Sequence, residues 1–172
     1  MKSSITEAVA LGDLFEVECF DKYGNLKWRD TIKNLVVNEG LDDILDEYFK
    51  GAAYTAAHYV GLTDGTPTVA AGDTVASHAG WVEVTAYDEA VRQTFTPGAV
   101  SGQSVNNTAA KAVFTISANN TVIGGCFIVT DDTKGGSAVG TIYGGGAFTA
   151  GDKTLDDNDT LNVTVTASAA AS

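Results

Sequence analysis

Gly146-Ala147-Phe148-Thr149-Ala150-Gly151-Asp152-Lys153-Thr154 nearly spells a phosphate-binding loop. Such a loop needs Gly directly before Lys, so that backbone N–H groups and the ammonium surround an anion, and it must open a helix. Here Asp152 sets a carboxylate where phosphates would lie, and Leu155-Asp156-Asp157-Asn158-Asp159 reads as a turn leading to a strand. No nucleotide site is predicted, and Gly144-Gly145-Gly146 is read instead as a bulge or a close backbone approach at a sandwich corner. The acidic run 156–159, with Asp131-Asp132 elsewhere, could supply oxygen ligands to calcium, but it lacks alternate ligands around a central Gly. It is read as solvated acidic turns, with a weak calcium site as the competing reading. His58 and His78 lie in no H-E-x-x-H phrase and near no Cys, and no G-x-S-x-G phrase occurs. Asp88 and Glu89 carry no glycosidase argument without a cleft. The expectation is no enzyme, no metal and no cofactor.

Cys19 and Cys126 show no C-x-x-C spacing and sit in apolar, strand-like phrases, Phe15-Glu16-Val17-Glu18-Cys19 and Gly125-Cys126-Phe127-Ile128-Val129. They read as buried free thiols, with a disulfide as the alternative.

The elements around these residues are mostly strands. At 172 residues one core is expected, burying on the order of 70% of the unfolded surface without a metal or disulfide staple. With 19 Gly, 2 Pro and many Thr and Val, the composition suits short strands joined by turns. Residues 14–35 read as a hairpin: Phe15, Val17 and Cys19 alternate with Glu16 and Glu18, residues 21–25 supply turn chemistry, and Leu26 and Trp28 alternate with Lys27 and Arg29. The hairpin serves either as an edge of the main sheet or as an arm reaching a neighbour. Leu41, Ile44, Leu45, Tyr48 and Phe49 share one helical stripe within residues 38–50, with Asn38 as N-cap and Gly51 as stop. That stripe is predicted to pack in the core and plug one open end of a β structure.

Residues 54–166 read as a β-sandwich, with strands at 58–62, 81–85, 91–95, 109–116, 122–130, 139–143 and 161–166. The segment 123–129 is apolar on both faces and should be central. Connections at 63–80 and 96–108 are long and turn-rich, as functional or mobile loops are. The tail 167–172 has too little bulk to bury and is expected to fray. The fold class is therefore all-β, one jelly-roll-like or related sandwich domain over 1–172 with one short amphipathic helix.

Ten Lys+Arg against 22 Asp+Glu give a net charge of −12, which repels polyphosphate and argues against nucleic acid as a partner. The N-terminus 1–7 lacks a charged start followed by an apolar run, and no stretch approaches the ~20 apolar residues of a membrane span, so no membrane partner is expected. The Asn-x-Thr triplets at 106, 119 and 162 are then accidents of an Asn- and Thr-rich β protein.

Asn34-Leu35-Val36-Val37-Asn38-Glu39-Gly40-Leu41-Asp42-Asp43-Ile44-Leu45, then Tyr59-Val60-Gly61-Leu62, Ala70-Ala71-Gly72-Asp73-Thr74, and Ser77-His78-Ala79-Gly80-Trp81-Val82-Glu83-Val84-Thr85-Ala86-Tyr87 with Arg92 form a series of phrases within 23–95. Together they resemble small structural virion proteins of tailed bacteriophages, among them head decoration or cement proteins. The resemblance implies a β-rich fold and an architectural role on the outer head surface, reached from the host cytoplasm. The implied partners are the major capsid protein and further copies of the chain in a symmetric dimer or trimer. The contact is expected at Lys27, Trp28 and Arg29, where the one local basic cluster surrounds an aromatic anchor. The alternatives are a tail, neck or fibre-base part, or a carbohydrate-binding module stacking sugars on Trp28, Tyr54, Tyr59, Trp81 and Tyr87.

Overall fold

The structure, a computed structural model, describes residues 9–51, 57–135 and 138–171. In chain order its elements are β1 (Val9–Phe20), β2 (Leu26–Lys33), β3 (Leu35–Val36), α1 (Asn38–Leu45) with a π-helical extension Asp46–Lys50, β4 (His58–Thr63), β5 (Glu83–Val84), β6 (Gln93–Phe95), β7 (Ser104–Asn106), β8 (Ala112–Thr115), β9 (Thr121–Ile123), β10 (Gly125–Val129), β11 (Ile142–Ala147), β12 (Lys153–Leu155) and β13 (Thr160–Ala171).

The alternation in 14–35 produces the expected hairpin. Asp21 Oδ1 accepts hydrogen bonds from the Tyr23 and Asn25 amides at 2.8 and 2.9 Å, and Gly24 takes the left-handed conformation that the turn requires. Phe15 then pairs with Ile32 and Cys19 with Trp28, which sends Phe15, Val17 and Cys19 into the core. The hairpin is an edge of the main sheet: β2 is the outer strand, β1 lies inside, and β13 follows, with β7 and β8 along its far side.

The second sheet runs β3-β11-β10-β4, with β5 and β6 both along β4, while β9 and β12 form a separate ribbon. All the strand pairs are antiparallel. Phe15, Val17, Phe114, Leu161, Val163 and Val165 of the first sheet pack against Val60, Leu62, Cys126 and Ile128 of the second, which makes the fold a β-sandwich. Strand β10 is central and buried on both faces, as its apolar run predicts. Its odd residues, Phe127 and Val129, join Val37, Val75, Trp81 and Ile142 in a second core on the outer face of that sheet.

Cys19 and Cys126 are buried free thiols, and burial pushes the Cys19 thiol up to about 12 and raises that of Cys126 as well.

Three expectations are corrected. The tail does not fray over residues 167–171: β13 stays paired with β1 through Ala171↔Val9, because a backbone ladder needs no side-chain bulk. The stretch 122–130 is two strands, with a bend at Gly124, where a Cβ would meet the Asp64 carbonyl oxygen at 2.3 Å. The third concerns the helix. Gly40 is its buried residue, seated so closely on β11 that a Cβ would lie 2.5 Å from the Tyr143 carbonyl oxygen. The face turned to the sandwich thus carries Gly40, Asp43, Ile44 and Glu47, so that of the apolar stripe only Ile44 faces inward and the other four residues are exposed. Leu41 is 37%, Leu45 52%, Tyr48 81% and Phe49 74% exposed. The N-cap is Val37, with no side-chain cap, not Asn38. Gly51 does end the segment in the left-handed conformation.

Candidate functional site

Lys27, Trp28 and Arg29 lie on β2, so the two cations share one face and the indole the other. Lys27 Nζ reaches Asp159 Oδ2 at 2.5 Å, and Arg29 Nε reaches Glu18 Oε1 at 2.8 Å. Glu18 also accepts from Lys111 Nζ at 2.7 Å, and these two cations, Lys111 foremost, hold its carboxyl below the usual range. Trp28 packs on the core with its ring edge-on to Phe148 at 5.5 Å, and Lys153 Nζ stands 5.6 Å from its centroid. The basic cluster is therefore matched by the chain's own carboxylates. The residues of the near phosphate loop are used internally too: Lys153 pairs with Asp30 at 3.0 Å, and Asp152 accepts from the Thr66 amide at 2.7 Å.

The aromatic residues proposed for sugar stacking are not gathered on a surface. Trp81 and Tyr87 are buried, Tyr59 and Trp28 lie against the cores, and Tyr54 lies outside the described residues. His78 stacks on Trp81 at 3.9 Å, with Nδ1 3.1 Å from the Trp81 carbonyl oxygen. Among the described residues, no group of three or more His, Cys, Asp or Glu is placed to hold a metal. No helix among them is long and apolar enough to cross a membrane.

Two arrangements went unseen in the sequence. The first is built on Arg92, buried beneath the 131–135 loop. Its guanidinium binds both Glu83 oxygens at 2.8 Å, donates to the Asp131 carbonyl at 2.9 Å and stands 5.3 Å from the Phe127 ring centroid. Glu83 in turn accepts from the Gly135 amide at 2.9 Å. The donors and acceptors satisfy one another, and the cluster ties β5 and β6 to that loop.

The second is a groove of about 580 Å³ at the end of the sandwich beneath α1. It is lined by Asp43, Ile44, Glu47 and Tyr48 of the helix, by Pro97 and Val100, by Asp13, Val105 and Ala167 of the first sheet and by His58, Phe95, Ile128 and Tyr143 of the second. Among the described residues no Lys or Arg lines it. Asp13 is only 7% exposed and accepts one hydrogen bond, from Asn34 Nδ2 at 2.6 Å, while burial raises its carboxyl to about 6. Among the described residues no donor reaches Asp13 Oδ1 or Glu47 Oε2. Burial holds His58 below the ordinary imidazole range despite Asp43, so its ring is neutral at pH 7. Burial raises the Tyr143 hydroxyl, and Asp13 adds to that. Among the described residues no hydrogen bond joins His58 to a carboxylate, and the groove combines carboxylate acceptors with apolar side chains, a lining that can bind a ligand.

No known protein family and no curated protein matches this chain.

Proposed function

We propose that the protein is an architectural component of a tailed-phage virion, a decoration or cement protein that binds the outer face of the capsid and stabilises the head. The observation that carries this reading is the exposed stripe Leu41, Leu45, Tyr48 and Phe49, held on a helix whose other face is seated on the sandwich. Large apolar and aromatic side chains gathered on a fixed surface mark a contact with another protein, and Tyr is among the residues enriched where binding energy concentrates. The resemblance of the phrases within 23–95 to those of virion proteins points to the same class. The net charge of −12 suits a position away from packaged DNA.

This reading takes α1 as the contact in preference to Lys27, Trp28 and Arg29, because those side chains already have partners within the chain. The role is mechanical: apolar surface removed from water between the helix and shell subunits lowers the free energy of the assembled head. Copies related by a symmetry axis of the shell would associate through closed interfaces.

The test is binding to capsids stripped of the protein. Wild type should restore bound copies in large number, and Tyr48→Ala/Phe49→Ala should stay folded and fail to bind. Normal binding by that variant would remove α1 as the contact, and a few copies per particle would assign the protein to the tail or neck instead.

A further inference from the structure

The groove beneath α1 contains a charge imbalance that no described residue corrects. Among the described residues Asp13, Asp43 and Glu47 line it, neither Lys nor Arg does, and the one imidazole, that of His58, is neutral at pH 7. Asp13 is more than nine-tenths buried, with one carboxylate oxygen that no donor among the described residues reaches, and Glu47 Oε2 is in the same position. A buried carboxylate oxygen without a donor is costly, and an apolar ligand filling the groove would raise that cost by removing more water. An anion would be repelled. A bare metal ion has no group of three ligands among the described residues to hold it. What satisfies both the acceptors and the apolar walls is an organic cation on an aliphatic stem.

We infer that the groove receives one lysine or arginine side chain of the partner protein that covers the α1 stripe, its charged end taken by the carboxylates of Asp13 and Glu47 and its methylenes against Ile44, Phe95 and Ile128. The inference rests on the reading of α1 as the contact face and adds the chemistry of the partner. Tyr48 belongs both to the stripe and to the groove, so a segment lying over Tyr48 and Phe49 passes the groove mouth and can lower one long side chain into it. Lysine and arginine fit because their stems tolerate an apolar channel while the head keeps its charge, and a charge-assisted hydrogen bond is about twice as strong as a neutral one. The apolar stripe would then supply area, and the groove would decide which segment is accepted.

The test has two arms. In the first, n-hexylammonium and n-hexanol are titrated into the whole protein, and the backbone amide signals of Asp13, Ile128 and Tyr143 are followed by NMR. The ammonium should bind at least about tenfold more tightly than the alcohol, and Asp13→Asn should erase that preference. In the second arm, Asp13→Asn, Glu47→Gln and Phe49→Ala are each bound to stripped capsids. Both groove variants should weaken binding about tenfold or more while melting as folded proteins, and Glu47→Gln on the helix decides the matter should Asp13→Asn not fold. Equal affinity for ammonium and alcohol overturns the inference. So does wild-type capsid binding by both groove variants when Phe49→Ala has lost it, a result that leaves the α1 reading standing. Wild-type binding by Phe49→Ala with the ammonium preference intact overturns the α1 reading instead, and with it the assignment of the cation to a capsid partner.

Discussion

The segments 38–50 and 64–82 both carry apolar residues beside the second sheet, and they use them in opposite ways. The helix has the regular apolar period and turns all of it but Ile44 to solvent. The loop has no such period, yet it buries Val75 and Trp81 on Phe127, Val129 and Ile142. Its irregular backbone is pinned at many points. Trp81 Nε1 donates to Asp73 Oδ2 at 3.0 Å, the same oxygen accepts from the Ala70 amide at 3.0 Å, and the Val82 amide donates to Asp64 Oδ1 at 2.9 Å. The Thr68 amide reaches the Gly80 carbonyl at 2.9 Å, and the Asn38 amide reaches that of Ala71 at 2.8 Å. Period reports which residues share a face. It does not report where that face points, and a single Gly40 seated on β11 settled the question against the stripe.

The sharpest way to break this contrast is Trp81→Ala. If the loop is a true second core, the variant loses roughly 3–5 kcal/mol in denaturant unfolding, as large-to-small changes of buried aromatics do. A loss below about 1 kcal/mol would make the loop a loose cover.

Asp13→Asn is expected to act with the opposite sign. The native carboxyl is raised from 3.8 to about 6, so the fold holds that proton more tightly than the unfolded chain does. The group's contribution to stability is full below pH 3.8, declines as pH rises and is gone above about 6. At roughly 1.4 kcal/mol per pH unit, the stability lost between pH 3.8 and pH 7 amounts to about 3 kcal/mol. Asp13→Asn should therefore melt higher than wild type at pH 7, and the gain should vanish at and below about pH 4. A loss of stability at pH 7 would mean that the Asn34 contact outweighs the burial of charge.

The smallest effect is expected at Leu45→Ala. A stripe packed in the core would lose roughly 2–4 kcal/mol on this change, whereas the half-exposed Leu45 should lose under about 0.5 kcal/mol. Equal melting of Leu45→Ala and Asp43→Ala would be the signature of an exposed stripe.

These differences mark where the sequence is legible. Alternation at Phe15, Val17 and Cys19 and the doubly apolar run of β10 are local signals, and both segments sit where those signals put them. The end of β13 is illegible because Ala167 to Ala170 carry no bulk, while the ladder to β1 that orders them is written 150 residues and more away. The groove is harder still, since Asp13, Asp43, Glu47 and His58 become neighbours only through three separate elements. Lys27 and Arg29 show the converse: they were conspicuous as a basic cluster, but their pairing with Asp159 and Glu18 depends on sheet register.

If the protein is the virion component proposed above, a cryo-EM map of the particle would show whether the helix or the loop meets a partner. The expected result is this protein on the outer head surface, with Tyr48 and Phe49 against a shell subunit and the 64–82 loop folded on its own sheet. Density confined to the tail or neck, or α1 facing solvent on the head, would contradict it.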